Sequence, residues 1–221
     1  MSAGLLLIRQ LGRQPYTPVW QAMRELTDQR SMDTPDQCWI VEHDPVFTQG
    51  QAGKPHHILS EASIPVVQTD RGGQVTYHGP GQLVMYWLVD LKRKKLAVRQ
   101  FVSLLEQSLL SVLADFGIEA ELREGAPGVY VADAKIASLG LRVRKGCTYH
   151  GLALNIDADL KAFEHINPCG YAGLRMVNLN DLLHRPQTMN EVAEHLLQTF
   201  VQHLDYRHTE RPEYGLTGIK K

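Results

Sequence analysis

Arg71-Gly72-Gly73-Gln74-Val75-Thr76-Tyr77-His78-Gly79-Pro80-Gly81-Gln82 runs directly into Leu83-Val84-Met85-Tyr86-Trp87-Leu88-Val89-Asp90-Leu91. Four glycines crowd the first segment, where they permit a left-handed backbone and close approach of a ligand. The second is rich in β-branched and aromatic residues and predicts a strand over 82–91. A glycine-rich loop that opens a strand is not the dinucleotide fingerprint, which opens a helix. No Gly-Lys-Ser/Thr follows at the spacing of a P-loop. On the residues alone, a ligand cradle and a tight connection with incidental polar groups fit equally well.

Elements on both sides fill in the fold. Upstream, Thr17-Pro18 reads as a helix start, with Val19, Met23 and Leu26 at helical spacing. Cys38–Val41 and 65–68 read as strands. Downstream, Val98, Phe101, Leu105, Leu109, Val112 and Phe116 mark one face of a long helix that Gly117 ends. Short strands are expected over 118–122, 128–131, 136–143 and 151–156. Thr188 and Glu191 have capping-box spacing, and Val192, Leu196, Phe200 and Leu204 supply the buried face of a last helix. Strands and helices do not alternate regularly. The expected class is therefore α+β, a mixed sheet flanked by helices, in one catalytic domain over 1–221 with a loose polar tail from 207 to 221.

Composition removes several function classes. The chain has 221 residues, 43% hydrophobic and 21% charged, with a net charge of −1. That balance opposes a protein whose main task is gripping nucleic acid. No apolar run approaches the roughly 20 residues of a membrane span, and Leu5–Ile8 is too short for a secretory signal. Three cysteines cannot pair completely, so a reducing cytoplasm is the simplest setting. Ten histidines form no C-x₂-C, H-E-x-x-H or other ligand quartet, and no metal site is expected.

Three further segments carry chemical signals. Asn167-Pro168-Cys169-Gly170 forces a turn that holds a small nucleophilic side chain at its tip, whereas Cys38 and Cys147 sit in or beside strands. Ala134-Lys135-Ile136-Ala137-Ser138-Leu139-Gly140 starts an apolar, small-residue strand with a lysine. Partial desolvation there would lower the lysine pKa, and a nearby ammonium would stabilise a thiolate. Spacing alone does not bring Lys135 and Cys169 together. Thr148-Tyr149-His150-Gly151 echoes Thr76-Tyr77-His78-Gly79, with His150 read equally well as a ligand or a structural histidine.

Taken together, Arg71–Gln82, Gly128-Val129-Tyr130 with Lys135–Gly140, Thr148–Asn155 and Asn167–Gly170 resemble the signature blocks of the lipoyl (octanoyl) transferase family. Glu42-His43-Asp44-Pro45-Val46-Phe47 resembles a weaker block. One departure is Tyr86-Trp87, where the family often has Tyr-Pro; lying in a strand, it bears on packing. The resemblance implies a fold like the catalytic domains of biotin and lipoate protein ligases. It also implies transfer of an octanoyl or lipoyl group from acyl carrier protein to lipoyl-domain lysines through a cysteine thioester, the first step of endogenous protein lipoylation. Cys169 becomes the nucleophile and Lys135 its partner. The acyl chain is expected against Arg71, Gly72, Gly73, Gln74, Val75, Thr76, Tyr77, His78, Ser138, Leu139, Gly140, Gly151, Leu152 and Ala153. No cofactor is implied. The implied acceptors are the lipoyl domains of 2-oxoacid dehydrogenase complexes and the glycine-cleavage H protein. The competing readings are an ATP-dependent lipoate or octanoate ligase on the same fold, a cysteine thioester hydrolase, and a non-catalytic acyl-binding module. Lys92–Lys95, and Arg142 with Arg144 and Lys145, are candidate contacts for an acidic carrier or simply solvated faces.

Overall fold

The computed structural model describes residues 4–60 and 63–212. In chain order its elements are β1 (Leu5–Gln14), α1 (Tyr16–Gln29), β2 (Asp36–His43), β3 (Val46–Gln49), β4 (Val66–Gln68), β5 (Val75–His78), β6 (Gln82–Leu88), α2 (Val98–Asp115), β7 (Glu121–Leu122), β8 (Val129–Val131), β9 (Ala134–Arg144), β10 (Cys147–Asn155), β11 (Arg175–Met176), α3 (Met189–His203) and β12 (His208–Glu210). Among the described residues the main sheet runs β12-β1-β2-β6-β10-β9-β8-β7, with β11 paired to β9, and a small sheet runs β4-β3-β5. β1 pairs in parallel with β2 and β12, while β2, β6, β10, β9, β8 and β7 pair antiparallel in turn. The sheet is mixed, with helices against it.

β6 explains the long apolar run of the sequence. Leu83, Met85 and Trp87 join the core under α2 and α3, with Phe101, Leu105, Leu109, Leu196 and Phe200. Val84, Tyr86 and Leu88 join the core under α1, with Tyr16, Val19 and Met23. A strand buried on both faces has no polar side to alternate with. Trp87, at the departure from the family pattern, stacks on Phe200 with ring centroids 4.2 Å apart. Its role is packing.

Several local expectations shift. α1 starts at Tyr16 after Pro15, not at Thr17, and no side chain caps it. Pro18 falls in the first turn, where a missing N–H leaves no helix bond unmade. The 65–68 segment pairs with β3 and is exposed apart from the half-buried Val67. Of 118–122 only Glu121–Leu122 pairs. α3 is capped as its sequence predicts, Thr188 Oγ1 accepting from the Glu191 N–H and the Glu191 carboxylate from the Thr188 N–H. The segment expected to be loose from 207 contributes β12, paired to Leu5–Leu7 of β1; its last part, 213–221, lies outside the described residues. No described helix is long and apolar enough to cross a membrane.

Candidate active site

The sheet face that α1 covers is only half covered. Across the β6–β10 pairing, Val84 stands opposite Ala153 and Tyr86 opposite Gly151. One strand further on, Ala153 meets Ser138 and Gly151 meets Gly140. Four small residues thus leave a trough beside a packed core. β5, the Pro168–Gly170 turn and the 125–127 loop roof it, enclosing a cavity of about 160 Å³.

A β-bulge delivers the lysine to this trough. The β8–β9 register jumps between Val129↔Ala137 and Tyr130↔Lys135, leaving Ile136 as the extra residue. Ile136 and Ala137 both enter the core under α2 and α3, while Lys135, Ser138 and Gly140 all line the cavity. Strict alternation would have set Lys135 and Ser138 on opposite faces; a bulge re-aims a side chain in this way. Lys135 is 1% exposed. Its Nζ donates to the Pro127 carbonyl at 2.7 Å and to Cys169 Sγ at 3.2 Å.

Cys169 sits at the tip of a 3-10 turn with φ 58° and ψ 14°, a left-handed conformation that costs a non-glycine residue roughly 1–2 kcal/mol. Gly170 follows at φ 84°. Cys169 is half-exposed at the cavity, whereas Cys38 and Cys147 are buried in strands at 0% and 7% exposure. The reachable thiol is the one the turn predicts. The buried Lys135 amine is within hydrogen-bond reach of that thiol.

The predicted substrate block divides by strand parity. Thr76 and His78 line the cavity with Arg71, Gly73, Gln74, Ser138, Leu139, Gly140, Gly151, Leu152 and Ala153. Val75 and Tyr77 do not line it. They point the other way on β5, into a small core with Phe47, Phe163 and Ile166. Gly72 does not line it either; its N–H bonds the Leu141 carbonyl at 2.9 Å and docks the loop on β9. The Arg71 guanidinium is spent inside the protein, on Thr48 Oγ1, the Thr48 carbonyl and the Gly72 carbonyl. Its Cδ lies 3.3 Å from the point where a Cβ on Gly140 would sit, so Arg71 braces the loop and offers methylenes to the trough. Gly125, Ala126, Pro127 and Tyr171 complete the lining and escaped the sequence reading. The signal for three of them was Gly125-Ala126-Pro127-Gly128, a turn sequence immediately before β8. Tyr171 latches to it, its hydroxyl donating to the Gly125 carbonyl at 2.9 Å.

A polar layer backs the cavity. Burial holds His43 neutral, its pKa pushed down to about 4, and burial with the neighbouring His43 pushes His78 to about 3. Gln82 fixes the His78 tautomer: its amide N–H groups donate to the Asn155 side chain and the Tyr77 carbonyl, so its oxygen accepts from His78 Nδ1 at 2.7 Å. His150 does not line the cavity. It is buried with φ 63°, which swings its ring to the side of Tyr149, and both side chains bond Asp70. Burial opposes ionisation of Asp70, yet bonds from His150, Tyr149 and Trp20 outweigh it and hold the carboxyl well below its usual range. His150 is thus a structural histidine.

The two basic clusters are largely engaged. Arg93 pairs with Asp36 and Lys94 Nζ donates to the Leu204 carbonyl at 2.7 Å. Arg144 and Lys145 both reach Asp28. Arg142 Nη1 donates to the Gln51 side chain at 2.7 Å, next to the loop that borders the cavity. No group of three or more potential ligands able to hold a metal occurs among the described residues.

Comparison with known proteins bears on this geometry. Residues 15–201 match the family model for the lipoyl protein ligase A/B catalytic domain. The chain belongs to that family. It is 60% identical over 213 residues to an octanoyltransferase of Shewanella loihica, covering 96% of this chain and 97% of that one. It is also 60% identical over 205 residues to an octanoyltransferase of Vibrio cholerae serotype O1, covering 93% and 94%. The fold matches that of a putative lipoate protein ligase of Thermoplasma acidophilum solved with bound lipoic acid, at a TM-score of 0.72 and 17% identity over 99% of this chain and 93% of that one. The mixed α/β fold is that of lipoate protein ligase catalytic domains, and the activity is that of an acyltransferase moving an octanoyl group.

Proposed function

We propose that Cys169 carries the octanoyl group as a thioester, that Lys135 manages the protons, and that the cavity residues hold the chain. The observation that carries this reading is the 3.2 Å contact between Lys135 Nζ and Cys169 Sγ at a largely apolar, small-residue trough. The donor is octanoyl-acyl carrier protein. The acceptors are lysines of lipoyl domains of 2-oxoacid dehydrogenase complexes and of the glycine-cleavage H protein. The chain works as one catalytic unit in the cytoplasm, at the first step of endogenous lipoylation.

The steps balance without an outside reagent. The Cys169 thiolate attacks the donor carbonyl, forming the new C–S bond as the carrier C–S bond breaks. The departing carrier thiolate takes a proton from the Lys135 ammonium. The acceptor amine then attacks the Cys169 thioester and loses its proton to neutral Lys135. The Cys169 thiolate leaves, and the thiolate–ammonium pair is restored. Thioester to thioester is near neutral and thioester to amide is downhill. Ser138, Gly140, Gly151 and Ala153 give the slender chain its room, and Arg142 meets the acidic carrier at the rim.

Cys169→Ala tests the reading. Transfer from octanoyl carrier protein to a lipoyl domain should fall below detection, with the melting temperature little changed. Retained turnover, or efficient transfer by the unmodified enzyme from free octanoate and ATP, would overturn it.

A further inference from the structure

We propose that His57 is a positioning residue that holds the Cys169 turn in its reactive shape, by gripping Asn167, two residues before Cys169, through both its backbone and its ring. The inference rests on the reading of Cys169 as nucleophile.

Two successive left-handed residues make a turn that does not hold itself. The cost at Cys169 persists only where the surroundings over-determine it. Within the turn, the Gly170 N–H bonds the Asn167 carbonyl at 2.9 Å and the Tyr171 N–H bonds the Pro168 carbonyl at 3.1 Å. Neither bond reaches anything outside the turn. Beside the Lys135–Cys169 and Tyr171–Gly125 bonds, an external hold on the near side of the turn comes from the segment around the Pro55–His57 3-10 turn. The His57 carbonyl accepts from the Asn167 N–H at 2.8 Å. The His57 ring accepts at Nδ1 from the Asn167 side-chain amide at 3.4 Å. The space over the Gly170 α-carbon is bordered by Gln74 Cγ and His57 Nε2, 3.1 and 3.5 Å from where a Cβ would sit. One residue therefore grips Asn167 twice, once from its backbone and once from its ring.

That segment is itself anchored at both ends. The Lys54 N–H donates to the Gln74 side chain at 3.1 Å, and Gln74 belongs to the glycine-rich loop. Ile58 bridges Ile166, and the Leu59 N–H bonds the His165 carbonyl at 2.8 Å. The adjacent His56 ring lies tilted against that of His57, with centroids 4.3 Å apart. The His57 ring is thus a fixed part touching the nucleophile turn. Its removal leaves the backbone bond but releases the Asn167 side chain, and so lets Cys169 relax toward right-handed backbone, carrying Sγ away from Lys135.

The test is single-turnover acylation of Cys169 by a small octanoyl pantetheine thioester, read by intact mass, with steady-state KM beside it. His57→Ala should slow acylation about tenfold and leave KM within twofold. His57→Asn keeps an acceptor near the Nδ1 position and should recover to within threefold of the unmodified rate. An unchanged rate in His57→Ala, a change confined to KM, or a His57→Asn rate as slow as that of His57→Ala would each overturn the proposal. If His57→Ala lost its melting transition, His57→Phe, which keeps a ring but no acceptor, would take its place and should show the same tenfold slowing; an unchanged rate there would overturn the proposal. A wild-type protein that transfers octanoate without mass on Cys169 sinks the nucleophile reading instead. A wild type acylated at Cys169 at the same rate as His57→Ala sinks only the role of His57.

Discussion

One face of the main sheet has two unequal halves. Over β2 and β6 it carries Trp39, Val41, Val84, Tyr86 and Leu88, filled in by α1. Over β9 and β10, one strand spacing away, it carries Ser138, Gly140, Gly151 and Ala153, with a cavity above them. Backbone pairing is continuous across the boundary, so the difference lies in side-chain volume alone. The first half supplies stability and the second gives up packing to make room for a ligand. A bulge at Ile136 then lets the same strand feed both a core and a site.

The comparison breaks most sharply at Lys135. Replacing it by Met removes a buried amine while keeping its bulk, and transfer should fall roughly 10²–10⁴-fold, the usual range for a lost acid–base group. The melting temperature should hold or rise, because a desolvated charge is gone. A small rate loss with a large stability loss would make Lys135 a structural residue.

A paired substitution sharpens the contrast between the halves. Leu88→Ala, in the packed half, should lower unfolding free energy by about 2–5 kcal/mol, measured by denaturant titration. Ala153→Val, in the trough, should change stability little and slow octanoyl transfer about tenfold relative to a four-carbon donor. Equal stability losses at the two sites would erase the distinction.

The polar layer between the halves gives the smallest effect. His43 and His78 have pKa values pushed below the usual 6.5 by burial, to about 4 and about 3. Below 6.5 the unfolded chain takes up protons that the folded chain refuses. Stability is therefore full above pH 6.5 and falls as pH drops toward 4, by up to about 1.4 kcal/mol per pH unit for each histidine. Melting curves between pH 7 and 4 measure it, and a flat profile would contradict the assignment.

Much of this was legible in the sequence. The Pro-Cys-Gly turn announced a reachable thiol, and a lysine opening an apolar strand announced a desolvated amine. Their meeting was not legible, because it depends on a bulge at Ile136 and on a turn 34 residues away in sequence. The glycine-rich block was read as one ligand surface, yet β5 alternates within it, sending Thr76 and His78 to the cavity and Val75 and Tyr77 to a core. Reading 75–78 as a strand would have made that split. β1 showed only as the short apolar run Leu5–Ile8, because its second half is largely polar and exposed. The His57 contacts were hidden for a different reason: one is made by a backbone carbonyl, which any residue possesses.

The most direct measurement is intact mass spectrometry with peptide mapping after mixing the enzyme with octanoyl-acyl carrier protein and no acceptor. One octanoyl addition on Cys169, discharged when a lipoyl domain is supplied, is the predicted result. An unmodified enzyme that nonetheless transfers octanoate, or an adduct on another residue, would contradict the account.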